Sequence, residues 1–374
     1  MKKSIYLDFN ATGMLRPEVR EALISHLDQD GNPSSVHQRG RAARALLEQA
    51  RDQVAQLAGA SAAKIIFPSG GTEANNQAIR GVKAASILIS ATEHDSTIAA
   101  AYAVGTEVQE IPVGGEGLLD LKALEKALKS VKKPALVSVM LANNETGVIQ
   151  PVAKITEIAH RHGALMHSDA IQAAGKIPVD FEALGVDLMT LSAHKINSIG
   201  GAAALIFKPS VSLNPIIFGG GQEQGWRSGT ENVAGIGAFG AAAELAHGEL
   251  EKYSRISELR DYLEAEILTF CRAARVFGSG APRLPNTSKI LMPQVTAETQ
   301  VMAFDLEGFC VSAGSACSSG KVKTSYVLKA MGAPDYQAGC AIRVSMGWQT
   351  TKADVTAFIA AWKRLYQRTH GKES

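Results

Sequence analysis

Four cysteines in 374 residues, at 271, 310, 317 and 340, show no Cys-x-x-Cys spacing and are too few to staple a chain of this size. A disulfide scaffold is excluded, and a reducing cytoplasm is the expected compartment. Long apolar runs are also missing. Lys2 and Lys3 have no hydrophobic segment behind them, so no signal peptide is expected. The least polar stretch, 233–245, carries Glu244 and is too short to span a bilayer. The net charge is only +2, and no Lys/Arg block with interleaved aromatics occurs, which excludes nucleic acid as an electrostatic partner. With 46% hydrophobic and 20% charged residues the chain is ordinary globular material, long enough for two domains.

What is present is a rhythm. Short apolar runs at 64–67, 86–90, 107–111, 135–141, 164–167, 187–191 and 202–207 alternate with helical patterns. Most starts lie roughly 20–30 residues apart, as strand–helix–strand units require. Between them, 41–57 puts Leu46, Leu47, Ala50, Val54 and Leu57 on one helical face, and Gly59 stops it. This predicts an α/β fold, a mostly parallel sheet with helices on both faces. Past residue 250 the rhythm changes. A charged helix over 251–270 leads into a strand-poor, proline-containing stretch at 282–293. The chain ends in an amphipathic helix with Val355, Phe358, Ile359, Trp362 and Leu365, capped by Thr351-x-x-Asp354. The expected division is a large domain over 14–250 and a smaller α+β one over 251–374 joined by 1–13.

Gly235-Ile-Gly237-Ala-Phe-Gly240 matches a dinucleotide fingerprint, but no strand precedes it, so its small residues are read as close helix packing. Ser69-Gly70-Gly71-Thr72-Glu73 is different. It lies between a strand and a helix, where backbone amides and the Thr72 hydroxyl could take a phosphate. Further strand ends carry Asn143-Asn144-Glu145, His167-Ser-Asp169 with Gln172, and Ser192-Ala-His194-Lys195. In an open α/β sheet these groups converge at the carboxyl ends of the strands. An Asp, a Lys and a phosphate cradle together suit pyridoxal phosphate. The Asp keeps the pyridine nitrogen protonated, and the Lys holds the aldehyde as a Schiff base. His94 ends another strand and could stack on a flat ring or shuttle protons. Cys317 sits in a run of small residues, Ser312 to Gly320, a setting suited to a nucleophile, whereas Cys310 is expected in a buried strand. Arg343 is a charge inside an apolar strand pattern, awaiting either a substrate carboxylate or an internal acid.

Taken in order, Gly31-Asn-Pro-Ser-Ser-Val-His37, Ser69–Glu73, Asn143-Asn144-Glu-Thr-Gly147, Asp169-x-x-Gln172, Ser192–Lys195, Arg227-Ser-Gly-Thr230 and Gly314-Ser-Ala-Cys317 resemble the NifS/IscS-type cysteine desulfurases, from Tyr6 to about Leu365. The resemblance implies a homodimer of aminotransferase-like fold (fold type I), with pyridoxal 5'-phosphate on Lys195. It implies that Asp169 pairs with the ring nitrogen and that Gln172 and Asn144 lie at the ring hydroxyl. His94 would stack on the ring. Gly71, Thr72, Ser192 and His194 would hold the phosphate together with Thr230 of the other subunit. Arg343, Asn10 and Asn144 would bind L-cysteine. Cys317 would become a persulfide, alanine would leave, and sulfur would pass to a scaffold protein for iron–sulfur clusters. No metal of the protein's own is implied, only contact between the Cys317 persulfide and a nascent cluster on the partner. A simple lyase would need no acceptor thiol. Two segments depart from the family pattern: Gly13-Met14 replaces the usual Thr-Pro, and 196–201 replaces an aromatic-Gly-Pro-Lys-Gly run.

Overall fold

The computed structural model describes residues 4–61, 63–314 and 324–371. In chain order its strands are β1 (Ile5–Tyr6), β2 (Lys64–Ile66), β3 (Ser86–Ser90), β4 (Glu107–Ile111), β5 (Ala135–Ser138), β6 (Ala164–Asp169), β7 (Leu188–Ser192), β8 (Ala203–Phe207), β9 (Arg275–Val276), β10 (Thr287–Leu291), β11 (Phe309–Cys310) and β12 (Ala341–Ser345). Seven form one sheet in the order β2-β8-β7-β6-β5-β3-β4. The pairs from β7 to β4 are parallel, and β8 runs antiparallel to both its neighbours. β3, β5, β7 and β8 are buried along their whole length, which is why they read as continuous apolar runs rather than alternating ones. Alternate residues feed two cores. Leu88 and Ile206 face one; Ile87, Ile89, Leu205 and Phe207 face the other. Charged β4 closes the exposed edge.

Four helices precede β4 in the chain, α1 (Pro17–Leu27), α2 (Gln38–Ala58), α3 (Gly71–Gly81) and α4 (Asp95–Ala103), of which α3 and α4 start at the cavity. α1 and α2 pack on the helix Val233–Gly248. There Gly237 meets Leu46 and His26, and Gly240 meets Ala50 and Gln53, too close for a Cβ. The glycine pattern at 235–240 is therefore helix packing, as its missing strand implied.

Beyond Gly248 lies the helix Tyr253–Phe270, followed by a three-stranded antiparallel sheet, β12-β10-β9, and the helix Lys352–His370 with its Thr351–Asp354 capping box. Their shared core holds Leu263, Ile290, Ile342, Phe358 and Trp362, and also Leu7 from the N-terminal segment. Two expectations need correction. The stretch 282–293 is not strand-poor, because β10 runs through it as the central strand. Its letters Thr-Ser-Lys look solvent-facing, yet all five residues are buried between β9 and β12. Cys310 lies in a strand as expected, but among the described residues β11 pairs with β1 alone and leaves it half-buried.

Candidate active site

A cavity of about 360 Å³ opens along the carboxyl ends of the parallel strands, within the range typical of small-molecule sites. Its lining includes Gly71 and Thr72 beyond β2, His94 beyond β3, Asn144 beyond β5, Asp169 at the end of β6, and Ser192, His194 and Lys195 at the end of β7. Gln172, Asn10 and Arg343 line it too. The cavity thus gathers all the predicted site residues except two. Thr230 is exposed and not among the lining residues. Cys317 lies outside the described residues.

Each side chain is held from behind. Asp169 accepts from Asn75 Nδ2 at 2.8 Å and from the Ile171 amide at 2.9 Å, which aims its carboxylate. His94 is the N-cap of α4; its Nδ1 accepts from the Ser96 amide at 3.1 Å, which fixes the ring. The Lys195 amine, on the short 3₁₀ turn Ala193–Ile196, donates to the carbonyls of Asn10 at 2.6 Å and Ala11 at 2.7 Å. Burial lowers its pKa to about 8, and the Arg343 charge pushes the same way against Asp8 and Asp169. Burial likewise brings His194 down to about 4, helped by Lys195 and Lys176, so its imidazole is neutral at pH 7. Arg343 pairs with Asp8 at 2.6 Å and donates to the Asn144 carbonyl at 2.9 Å. The internal acid and the place on the cavity wall, alternatives in the sequence, are both present.

The residues fit pyridoxal phosphate. Gly70 caps α3 without a side-chain hydrogen bond, so the first-turn amides are not covered by a cap. Gly71 lies so close to Ile171 that a Cβ would collide with it. Beside this anion site stand the Thr72 and Ser192 hydroxyls, then the Lys195 amine, then the Asp169 carboxylate. Asn144 Oδ1 and Arg343 Nε are buried at the wall with no partner among the described residues, which leaves polar capacity for a bound molecule.

Several contributors were not singled out from the sequence. Asn75 on α3 holds Asp169 from one turn beyond the glycines. Glu93 is fully buried behind the site, and burial pushes its carboxyl well up, with Asp169 adding to the effect. The Glu145–Lys289 pair and Lys176 are buried nearby. Only their chain positions, next to Asn144 and four residues after Gln172, could have flagged them. The two departures from the family pattern meet in space: a Cβ at Gly13 would press into Asn197, which has left-handed φ 67° at the end of the lysine turn. The two changes fit each other.

Fold and site together define a pyridoxal-phosphate enzyme of fold type I. The Aminotransferase class-V family model matches residues 5–358. The chain is 41% identical over 379 residues to a protein of Dictyoglomus turgidum named cysteine desulfurase IscS, covering 98% of this chain and 96% of that one. It is 44% identical over 366 residues to a cysteine desulfurase of Cereibacter sphaeroides, covering 95% and 94%. The structure of a NifS-like protein from Rickettsia africae superposes with a TM-score of 0.92 at 38% identity, covering 97% and 99%. The chain belongs to the cysteine desulfurase family of class-V aminotransferase enzymes, which depend on pyridoxal phosphate. Among the described residues no helix is long and apolar enough to cross a membrane.

Proposed function

We propose that this enzyme takes sulfur from L-cysteine, leaves L-alanine, and carries the sulfur as a persulfide on Cys317 to acceptors such as an iron–sulfur scaffold protein. What carries the reading is one cavity edged by the Lys195 amine, the Asp169 carboxylate, the α3 amides and Arg343. Bound pyridoxal phosphate supplies an electron sink for charge developing at the substrate Cα. Asp169 would hold the proton on the ring nitrogen, and Gln172 and Asn144 would meet the ring hydroxyl. His94 would stack on the ring. Gly71, Thr72, Ser192 and His194 would hold the phosphate. Lys195 Nζ, with its pKa brought down to about 8, is suited to take and return the Cα proton. Arg343, with Asn10 and Asn144, would receive the substrate carboxylate. The Cys317 thiolate would attack the substrate sulfur, and the Cβ–S bond would break.

The proposal includes a homodimer in the cytoplasm, with Thr230 serving the partner's phosphate site. It also includes the division into 14–250 and 251–374 with 1–13, supported by the separate apolar cores.

The test is alanine and sulfide formed from L-cysteine with excess dithiothreitol, with the cofactor's visible band recorded alongside. The two products should appear in equal amounts. Cys317→Ala should keep the band and lose sulfide; Lys195→Ala should lose both the band and turnover. Undiminished sulfide from Cys317→Ala would remove the thiol from the reaction.

A further inference from the structure

Lys176 is only 4% exposed, and the charges that act on it among the described residues are cations, Lys195 and Arg343. A buried amine without a counter-ion is expensive, so its hydrogen bonds carry the explanation for its presence. Its Nζ donates to Gln172 Oε1 at 2.7 Å and to Asn10 Oδ1 at 3.2 Å. Burial, reinforced by those two cations, holds the amine well below the usual lysine range. Even uncharged, it keeps two N–H donors for these two oxygens.

The Gln172 amide is thereby locked in one orientation. Its Oε1 faces the Lys176 donor, while its Nε2 donates to the Asn10 carbonyl at 2.9 Å. A flip would take Oε1 away from the Lys176 N–H that now reaches it at 2.7 Å. It would also set Oε1 against the Asn10 carbonyl, acceptor to acceptor. Of the two N–H groups on Nε2, one goes to Asn10 and one remains on a side chain that lines the cavity. The same Asn10 carbonyl accepts from Lys195 Nζ, so both cavity groups share one anchor.

We propose that Lys176 is a positioning residue: it keeps the donor end of Gln172, not its oxygen, available to the cofactor's ring hydroxyl. The inference rests on the pyridoxal-phosphate reading of the site. Lys176 touches neither cofactor nor substrate in this role. The charged and titratable groups around the network are Lys195, Arg343 with its partner Asp8, Asp169 and His194.

The experiment compares full-length wild type, Lys176→Met, Gln172→Leu and the double variant. It measures the dissociation constant for pyridoxal phosphate and the pH midpoint of the cofactor's visible band. Lys176→Met should weaken cofactor binding roughly fivefold, the factor carried by one net hydrogen bond, and should move the midpoint. In the Gln172→Leu background it should add nothing to either. An unchanged Lys176→Met protein overturns the proposal, as does an effect that persists in full in the double variant. Gln172→Glu tests the same point without altering Lys176: it removes the donor end and should weaken binding by a similar factor. Wild-type affinity in that variant would also overturn the proposal. A wild-type protein that binds pyridoxal phosphate while these variants match it defeats the inference alone. A wild-type protein with no visible band defeats the reading beneath it.

Discussion

At pH 7 a free lysine is neutral in roughly three molecules in ten thousand, whereas an amine with a pKa of about 8 is neutral in about one in ten. Burial of Lys195 is the first cause of that difference and the Arg343 charge the second. Below pH 8 the reactive neutral fraction falls about tenfold per pH unit; above it, reactivity levels off. Pulse labelling of the cofactor-free protein with an amine-specific reagent, mapped to Lys195, should therefore show a midpoint near pH 8. A midpoint near 10.5 would contradict the buried setting. Lys195 and Asp169 were legible in the sequence because strand ends announce themselves by where an apolar run stops. Lys176 was not. Its partner Asn10 lies 166 residues away, and nothing local separates it from an ordinary surface lysine. Asp8, the partner of Arg343 across 335 residues, was hidden for the same reason.

Between elements, the Glu145–Lys289 pair joins the loop after β5 to β10. Both side chains are 0% exposed, with Nζ and Oε2 2.9 Å apart. Glu145 also accepts from Ser325 Oγ at 2.7 Å, and Lys289 donates to the Ala313 carbonyl at 2.6 Å. Removing one partner leaves an uncompensated buried charge, so Glu145→Gln should cost about 3–5 kcal/mol in denaturant unfolding. Glu145→Gln combined with Lys289→Met removes both charges and should recover much of that loss. Equal destabilisation of the single and double variants would mean that shape rather than charge is decisive. This pair also explains why β10 escaped the pattern analysis. A lysine in a strand reads as solvent-facing until an acid from a distant loop is known to meet it. The strands of the large sheet were easier, since burial on both faces leaves almost no polar letters in them.

For the whole molecule, the decisive matter is whose Thr230 completes whose site. Within one chain Thr230 is exposed and absent from the cavity wall, although the other predicted phosphate-holding residues crowd the same rim. If the partner's Thr230 serves the phosphate, two inactive variants should repair one another. Thr230→Asp places a negative charge where the phosphate binds, and Lys195→Ala removes the reacting amine. In a mixed dimer, the site with an intact Lys195 receives an intact Thr230 from the Lys195→Ala subunit, while the other site carries both defects. Random mixing puts about half the molecules in mixed dimers, each with one good site, so about a quarter of wild-type turnover should return. If Thr230 instead serves its own chain, every site in every dimer carries one defect and mixing restores nothing. Unfolding and refolding the two variants together, then measuring alanine formed from L-cysteine, separates the outcomes; sedimentation of the mixture confirms that dimers have formed. A return of activity would place the complete active site at the subunit interface and make dimerisation a condition of catalysis.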